Sequence, residues 1–197
     1  MLPKQLSTFA DNSADSIANL FISMKFTPNV ISFIAFVLGL IAGILFAANH
    51  TLWAGIVIVL CGFFDLLDGQ VAAKTNKKSL FGAIFDSTLD RYSEFFIYLG
   101  IAYYFRNHWA LWLCFFTFFG SYMVSYTRAR AEGLGIECQI GIMQRAERLG
   151  LLAIGSVLGS VVGFFEPVMI AVLIAIAIIS NFTAFQRIRH VKKHEAK

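Results

Sequence analysis

Residues 65–90 read DLLDGQVAAKTNKKSLFGAIFDSTLD, four aspartates in two pairs separated by a short basic break. Asp65 and Asp68 are three positions apart and Asp86 and Asp90 four, so each pair lies on one face of a helix. The apolar runs that hold them, 51–73 and 82–105, are long enough to cross a bilayer core of about 30 Å, which takes roughly 20 residues at 1.5 Å rise. The first run carries its acids near its end. The second carries them roughly 6–12 Å from its start at the same rise. Consecutive antiparallel helices therefore bring both pairs to one depth, where they can face each other.

Four further stretches, 28–48, 108–130, 148–165 and 167–186, have the length and apolarity of a span. The breaks carry charge or helix breakers: Asn49-His50, Lys74 to Ser79, Arg106-Asn107, Glu132 to Arg148 and Glu166-Pro167. The expected fold is all-α, a polytopic membrane protein of six transmembrane helices with an N-terminal amphipathic interfacial helix. Composition agrees: of 197 residues, 58% are hydrophobic and 14% charged, against about 25% charged in a soluble domain. Disorder, collagen and coiled coil are excluded by the same balance. Cys61, Cys114 and Cys138 show neither zinc-ligand spacing nor a disulfide framework.

The net charge of +4 is unevenly placed. With six spans, one side of the membrane receives 14 of the 16 basic residues, from Lys4 and Lys25 through Lys74, Lys77 and Lys78 to Lys197. Only Arg106 falls in the opposite loops, so both termini are expected in the cytoplasm. That distribution favours a membrane over nucleic acid as the partner of the charge. Residues 1–25 are too polar for a secretory signal. Leu6, Phe9, Ile17, Leu20, Phe21 and Met24 recur there at helical spacing, as in an interfacial helix or a helix covering the bundle. The domain plan is 1–25 for that helix, 26–190 for the membrane domain and 191–197 for a basic tail. Gly39/Gly43 and Gly155/Gly159/Gly163 are small-xxx-small patterns suited to close packing inside the bundle or to a dimer.

Each ionisable group inside a span costs about 2.5–3.5 kcal/mol on insertion scales. Asp65, Asp68, Asp86, Asp90, Arg91 and Glu94 all lie in the second and third spans. Protonation or divalent cations would relieve four clustered carboxylates, and oxygen ligands without His or Cys suit Mg²⁺, Mn²⁺ or Ca²⁺ rather than zinc. Two such ions are suited to clamping a diphosphate. Gly69 and Gly82 leave room beside the acids for a bulky ligand. An ion-coupled transporter also uses intramembrane acids, but places them near the midplane within repeated halves. Here they sit toward one face, and the sequence shows no internal repeat.

The order Asp65, Asp68-Gly69, Ala72, Gly82, Asp86, Asp90 resembles the signature of the CDP-alcohol phosphotransferases. The resemblance implies that Asp65, Asp68, Asp86 and Asp90 hold two Mg²⁺ or Mn²⁺ ions on the diphosphate of a CDP-linked lipid. It also implies that Asp90 is the general base for an acceptor hydroxyl, with CMP as the leaving group and a homodimer as the assembly. Gly69 and Ala72 would give the nucleotide space, and Gly82 would border it. Pro28, Asn29 and Ser79 match positions that contact the CDP-alcohol. Ala73 stands where the family usually has Arg. Lys74 offers a cation one helical position, about 100°, away.

Residues 125–132 read SYTRARAE and 144–149 read QRAERL. Arg145 and Arg148 share a helix face, and Arg187 and Arg189 come to the same side of the membrane. Clustered guanidinium groups beside a metal site can hold a phosphate through paired charge-assisted hydrogen bonds. With residues 86–91, DSTLDR, these segments look like the branch that makes inositol-phosphate lipids. The resemblance implies that Arg128, Arg148 and one of Arg187 or Arg189, with Arg145 alongside, hold a small phosphorylated polyol, inositol 1-phosphate. Glycerol 3-phosphate is the alternative acceptor, since it too needs a basic pocket. The expected location is the cell membrane, with the site facing the cytoplasm.

Overall fold

The computed structural model describes residues 17–195, all helix or connecting turn with no strand among the described residues. A short α1 covers 17–23. It is followed by α2 (Pro28–Ala47), α3 (Thr51–Lys74), α4 (Leu80–Tyr104), α5 (Ala110–Glu132), α6 (Arg145–Val162) and α7 (Phe165–Glu195). Leu6 and Phe9 of the expected interfacial helix lie outside the described residues. Within α1, Ala18 is buried while Leu20 and, just beyond, Met24 are exposed.

The local chemistry accounts for the boundaries. Pro28 opens α2 in the first turn, where its missing N–H is no loss. Ser79 caps α4 by accepting from Gly82 N at 2.9 Å. Glu147 accepts from Gln144 N at 3.0 Å at the start of α6. That helix begins at Arg145, which draws Arg148 into its first turn. Gly163, at φ 78°, ends α6 in the left-handed conformation. The last hairpin consequently turns at residues 163–164, ahead of the expected Glu166-Pro167 break. Glu166 and Pro167 fall in the first turn of α7, which tolerates proline. Residues 191–195 continue α7.

Four helices, α2, α3, α5 and α7, are long and apolar enough to cross a membrane. The other two long helices, α4 and α6, are the ones carrying Asp86, Asp90, Arg91 and Glu94, and Arg145, Glu147 and Arg148. Large apolar side chains such as Trp112, Val161 and Phe164 stand exposed around the bundle. This is the surface of a multi-pass membrane protein.

Packing runs α2 on α3 and α4, α3 on α6, α6 on α7, α7 on α5, and α5 on α4. The glycine patterns serve these contacts. Gly43 meets Gly100 and the Phe96 carbonyl of α4, and Gly39 meets Ser93. Gly155 packs on Val172 of α7, and Gly159 on Phe165 and Val168. A large apolar core around Phe46, Ile58, Ile97, Leu152 and Met169 fills one end of the bundle. A small one, Ala18, Ile31, Leu67 and Val71, sits at the other. Along α3, Asp65 and Asp68 follow Ile58 of the large core and bracket Leu67 of the small one.

Candidate active site

Helix α3 delivers Asp65 and Asp68 near its C-terminal end, and α4 delivers Asp86 and Asp90 in its first three turns. Asp65, Asp68 and Asp86 each offer a carboxylate oxygen within 4.8 Å of the others. That set of hard oxygen donors fits a divalent cation. Asp68 is buried and accepts from Ser32 Oγ at 2.6 Å. Asp90 is turned toward arginine instead: its Oδ1 lies 3.0 Å from Arg145 Nη2 and its Oδ2 3.2 Å from Arg91 Nη1. Arg145 also reaches Asp65 Oδ2 at 2.5 Å. One guanidinium on α6 thus ties the acids of α3 to those of α4 and offsets part of their charge.

Two cavities adjoin the cluster. The first, about 320 Å³, is lined by Pro28, Asn29, Asp68, Gly69, Ala72, Ser79, Gly82 and Asp86, together with Ser32, Lys77, Lys78 and Ala83. A Cβ on Gly69 would meet no atom within 4 Å, so its surroundings are open. The second, about 280 Å³, is lined by Asp65, Asp90, Arg91, Ser125, Arg128, Gln144, Arg145, Arg148 and Arg187, among others. The acids are split evenly, and the cluster forms the common wall. A molecule in each cavity would meet the other at the carboxylates.

The expected residues fare differently. Pro28, Asn29, Gly69, Ala72, Ser79 and Gly82 come together around the first cavity, whereas Ala73 and Lys74 are not among its lining residues. Lys74 Nζ instead donates to Asn19 Oδ1 at 3.2 Å. The cations at the cavity are Lys77 and Lys78, placed there by the turn between α3 and α4 with Asn76 at φ 52°. Sequence reading counted both lysines only as cytoplasmic charge. Ser32 was also missed; its place one turn after Pro28 was the available signal.

Arg128, Arg145, Arg148 and Arg187 do converge on the second cavity. Arg128 is half exposed and pairs with Glu132 at 2.8 Å. Arg148 is fully buried, its Nε and Nη2 donating to the two oxygens of Glu94 at 2.6 and 2.9 Å. Its Nη1 has no hydrogen-bond partner. Glu94, one of the ionisable groups inside the spans to which the sequence assigns no partner, orients this arginine. Arg187 donates from Nε to Ile140 O at 2.8 Å and from Nη1 to Val124 O, joining α7 to α5 and the loop after it. Arg189 departs from expectation. Two residues on, it is turned roughly 200° around α7 and lines a separate cavity.

A family profile described as CDP-alcohol phosphatidyltransferase matches residues 25–185. The chain belongs to that family, and it is a CDP-alcohol phosphotransferase. The archaetidylinositol phosphate synthase of Pyrococcus horikoshii is 38% identical over 180 residues, covering 91% of this chain and 90% of its own. That of Methanothermobacter thermautotrophicus is 35% identical over 184 residues, covering 93% and 88%. Among solved structures, Mycobacterium tuberculosis phosphatidylinositol phosphate synthase with CDP-DAG bound superposes with a TM-score of 0.82. It is 24% identical, over 90% of this chain and 92% of that one. The same enzyme in complex with manganese and citrate gives 0.80, also at 24% identity and covering 90% and 88%.

Proposed function

We propose that the protein transfers the phosphatidyl-type group of a CDP-linked lipid to inositol 1-phosphate, releasing CMP and leaving a phosphorylated inositol lipid. The observation that carries this reading is the pair of cavities with a shared wall of acids, one walled by small residues and lysines, the other by arginines. The names of the two synthases above support the acceptor. In this reading the first cavity takes the CDP-lipid, with Gly69, Ala72 and Gly82 leaving room for the nucleotide and Lys77 and Lys78 opposing its phosphates. The second takes the acceptor, whose phosphate faces Arg128, Arg145, Arg148 and Arg187.

Asp90 stands at the junction and is the base. It removes the proton of the acceptor hydroxyl, whose oxygen forms the new bond to the lipid-side phosphorus. The phosphoanhydride bond breaks and CMP departs with the electron pair. A positioned carboxylate contributes typically 10²–10⁴-fold to such a proton transfer. Asp65, Asp68 and Asp86, with Asp90, would hold two divalent ions, Mg²⁺ or Mn²⁺, which supply charge neutralisation at the diphosphate. Arg145 must share Asp65 and Asp90 with those ions, and its guanidinium is then available to the acceptor phosphate.

The excess of basic residues at one end of the bundle supports placing that end, the site and both termini at the cytoplasmic face of the cell membrane. It also supports six spans, with α1 and the residues before it at the interface. A homodimer is proposed from the family resemblance, and mass measurement in detergent tests it. CMP release from CDP-lipid and Mg²⁺ tests the reaction, comparing inositol 1-phosphate, glycerol 3-phosphate, serine and free inositol. Release should depend on inositol 1-phosphate. Release with glycerol 3-phosphate instead would keep the reaction and discard this acceptor.

A further inference from the structure

Arg189 belongs to a different arrangement from the one its sequence suggested. Gln186, Arg189, His190 and Lys193 recur along α7 at three- and four-residue intervals, one helix face. With Ile140, Gly141 and Ile142 of the loop between α5 and α6 they line a cavity of about 520 Å³. The wall is held in place. Met143 N donates to Thr183 Oγ1 at 3.1 Å, Arg187 Nε to Ile140 O at 2.8 Å, and His190 Nε2 lies 3.2 Å from Glu137 O. Gly141, at φ 124°, lets the loop press on Thr183, where a Cβ would collide.

Three features define what fits. Arg189 and Lys193 have no acidic partner among the described residues. Gln186 Oε1 is buried without a hydrogen-bond partner. Ile142 and Ile140, both in the cavity wall, are 61% and 36% exposed. Depth adds a fourth. The 22 residues from Phe165 to Gln186 rise about 33 Å, the thickness of a hydrocarbon core. Arg189 and Lys193 therefore leave the membrane at headgroup level.

We propose that this cavity is a second anion site, distinct from the acid-centred cavities, that binds the phosphate of a membrane phospholipid bearing a hydroxylated headgroup. Arg189 and Lys193 bracket the phosphate, Gln186 Oε1 accepts from a headgroup hydroxyl, and the isoleucines border the glycerol and first methylenes. Basic pockets at the cytoplasmic ends of membrane helices are suited to such headgroups. This inference is independent of which acceptor the enzyme uses.

Native mass spectrometry of the delipidated full chain tests it, with phosphatidylglycerol and phosphatidylcholine supplied in equal amounts. One phosphatidylglycerol should be retained in preference. Arg189→Gln with Lys193→Gln should weaken that retention roughly 30-fold, the effect of two cations near a membrane surface. Lys25→Gln with Lys192→Gln removes the same charge elsewhere and should change it less than threefold. Lys193→Gln alone should weaken it by about fivefold. Equal losses in the two double variants, or none in either, overturn the proposal. Displacement of the lipid by millimolar inorganic phosphate also overturns it, since the site would then take free phosphate.

Discussion

The two cavities beside the acids are built in opposite ways. The first is lined by α2, α3, α4 and the turn between α3 and α4, all within residues 28–86. Its acids, glycines and capping serine are fixed by spacing along two consecutive helices. The second draws on α3, α4, α5, α6 and α7, from Asp65 to Arg187. No local spacing relates Arg128 to Arg145 or Arg187; their convergence depends on how α6 seats between α3 and α7. The first can be recognised as a motif. The second exists only as packing, held by the buried Glu94–Arg148 pair and the partly buried pairs of Arg145 with Asp65 and Asp90.

Substitution can separate the two. Asp90 belongs to both the acid wall and the second cavity, so Asp90→Asn should lower CMP release by about 10²–10⁴-fold with the fold retained. A loss below tenfold in single-turnover kinetics would remove Asp90 as the base. Next in size is the Glu94–Arg148 pair, which is buried on both sides. Glu94→Gln leaves an uncompensated guanidinium and should cost about 3–5 kcal/mol, read as a lowered unfolding temperature in detergent. Glu94→Leu with Arg148→Met should restore most of that stability yet leave the acceptor KM raised. A normal acceptor KM in that double variant would make the pair purely structural.

Arg128 is half exposed, so its loss should spare the fold. Arg128→Gln should raise the acceptor KM about tenfold, the scale of one charge-assisted hydrogen bond, and change the donor KM less than twofold. A donor effect of equal size would mean that the two cavities are not functionally separate. The smallest contrast lies among the lysines. Lys78→Ala should raise the donor KM several-fold, about 1 kcal/mol for a solvated phosphate contact, while Lys74→Ala should leave it within twofold. The reverse order would put Lys74, not Lys78, on the nucleotide.

The acid pairs were readable because a helix converts spacing directly into a shared face, whereas Pro28, Asn29, Ala72 and Ser79 of the first cavity came from the family resemblance. Pro28, Asn29, Gly69, Ala72, Ser79 and Gly82 all line it. Lys74 misled because it stands two residues past Ala72, about 200° around α3, and Ala73 misses the cavity as well. Lys77 and Lys78 were hidden in a turn whose path depends on Asn76 adopting a positive φ. Arg187 and Arg189 looked interchangeable as neighbouring charges. On α7 they face different partners, one buried against carbonyl oxygens and the other at an exposed cavity.

The sequence by itself determined the helices, the membrane habit and the acid signature, because apolar run length, breaker residues and three- and four-residue spacing act locally. Tertiary structure alone decided that Arg145 bridges Asp65 and Asp90, that Glu94 holds Arg148, and that Arg189 is turned away. Those contacts join residues 54 to 80 positions apart, or separate residues two apart. Interhelical packing sets them, and no periodicity within one helix encodes it.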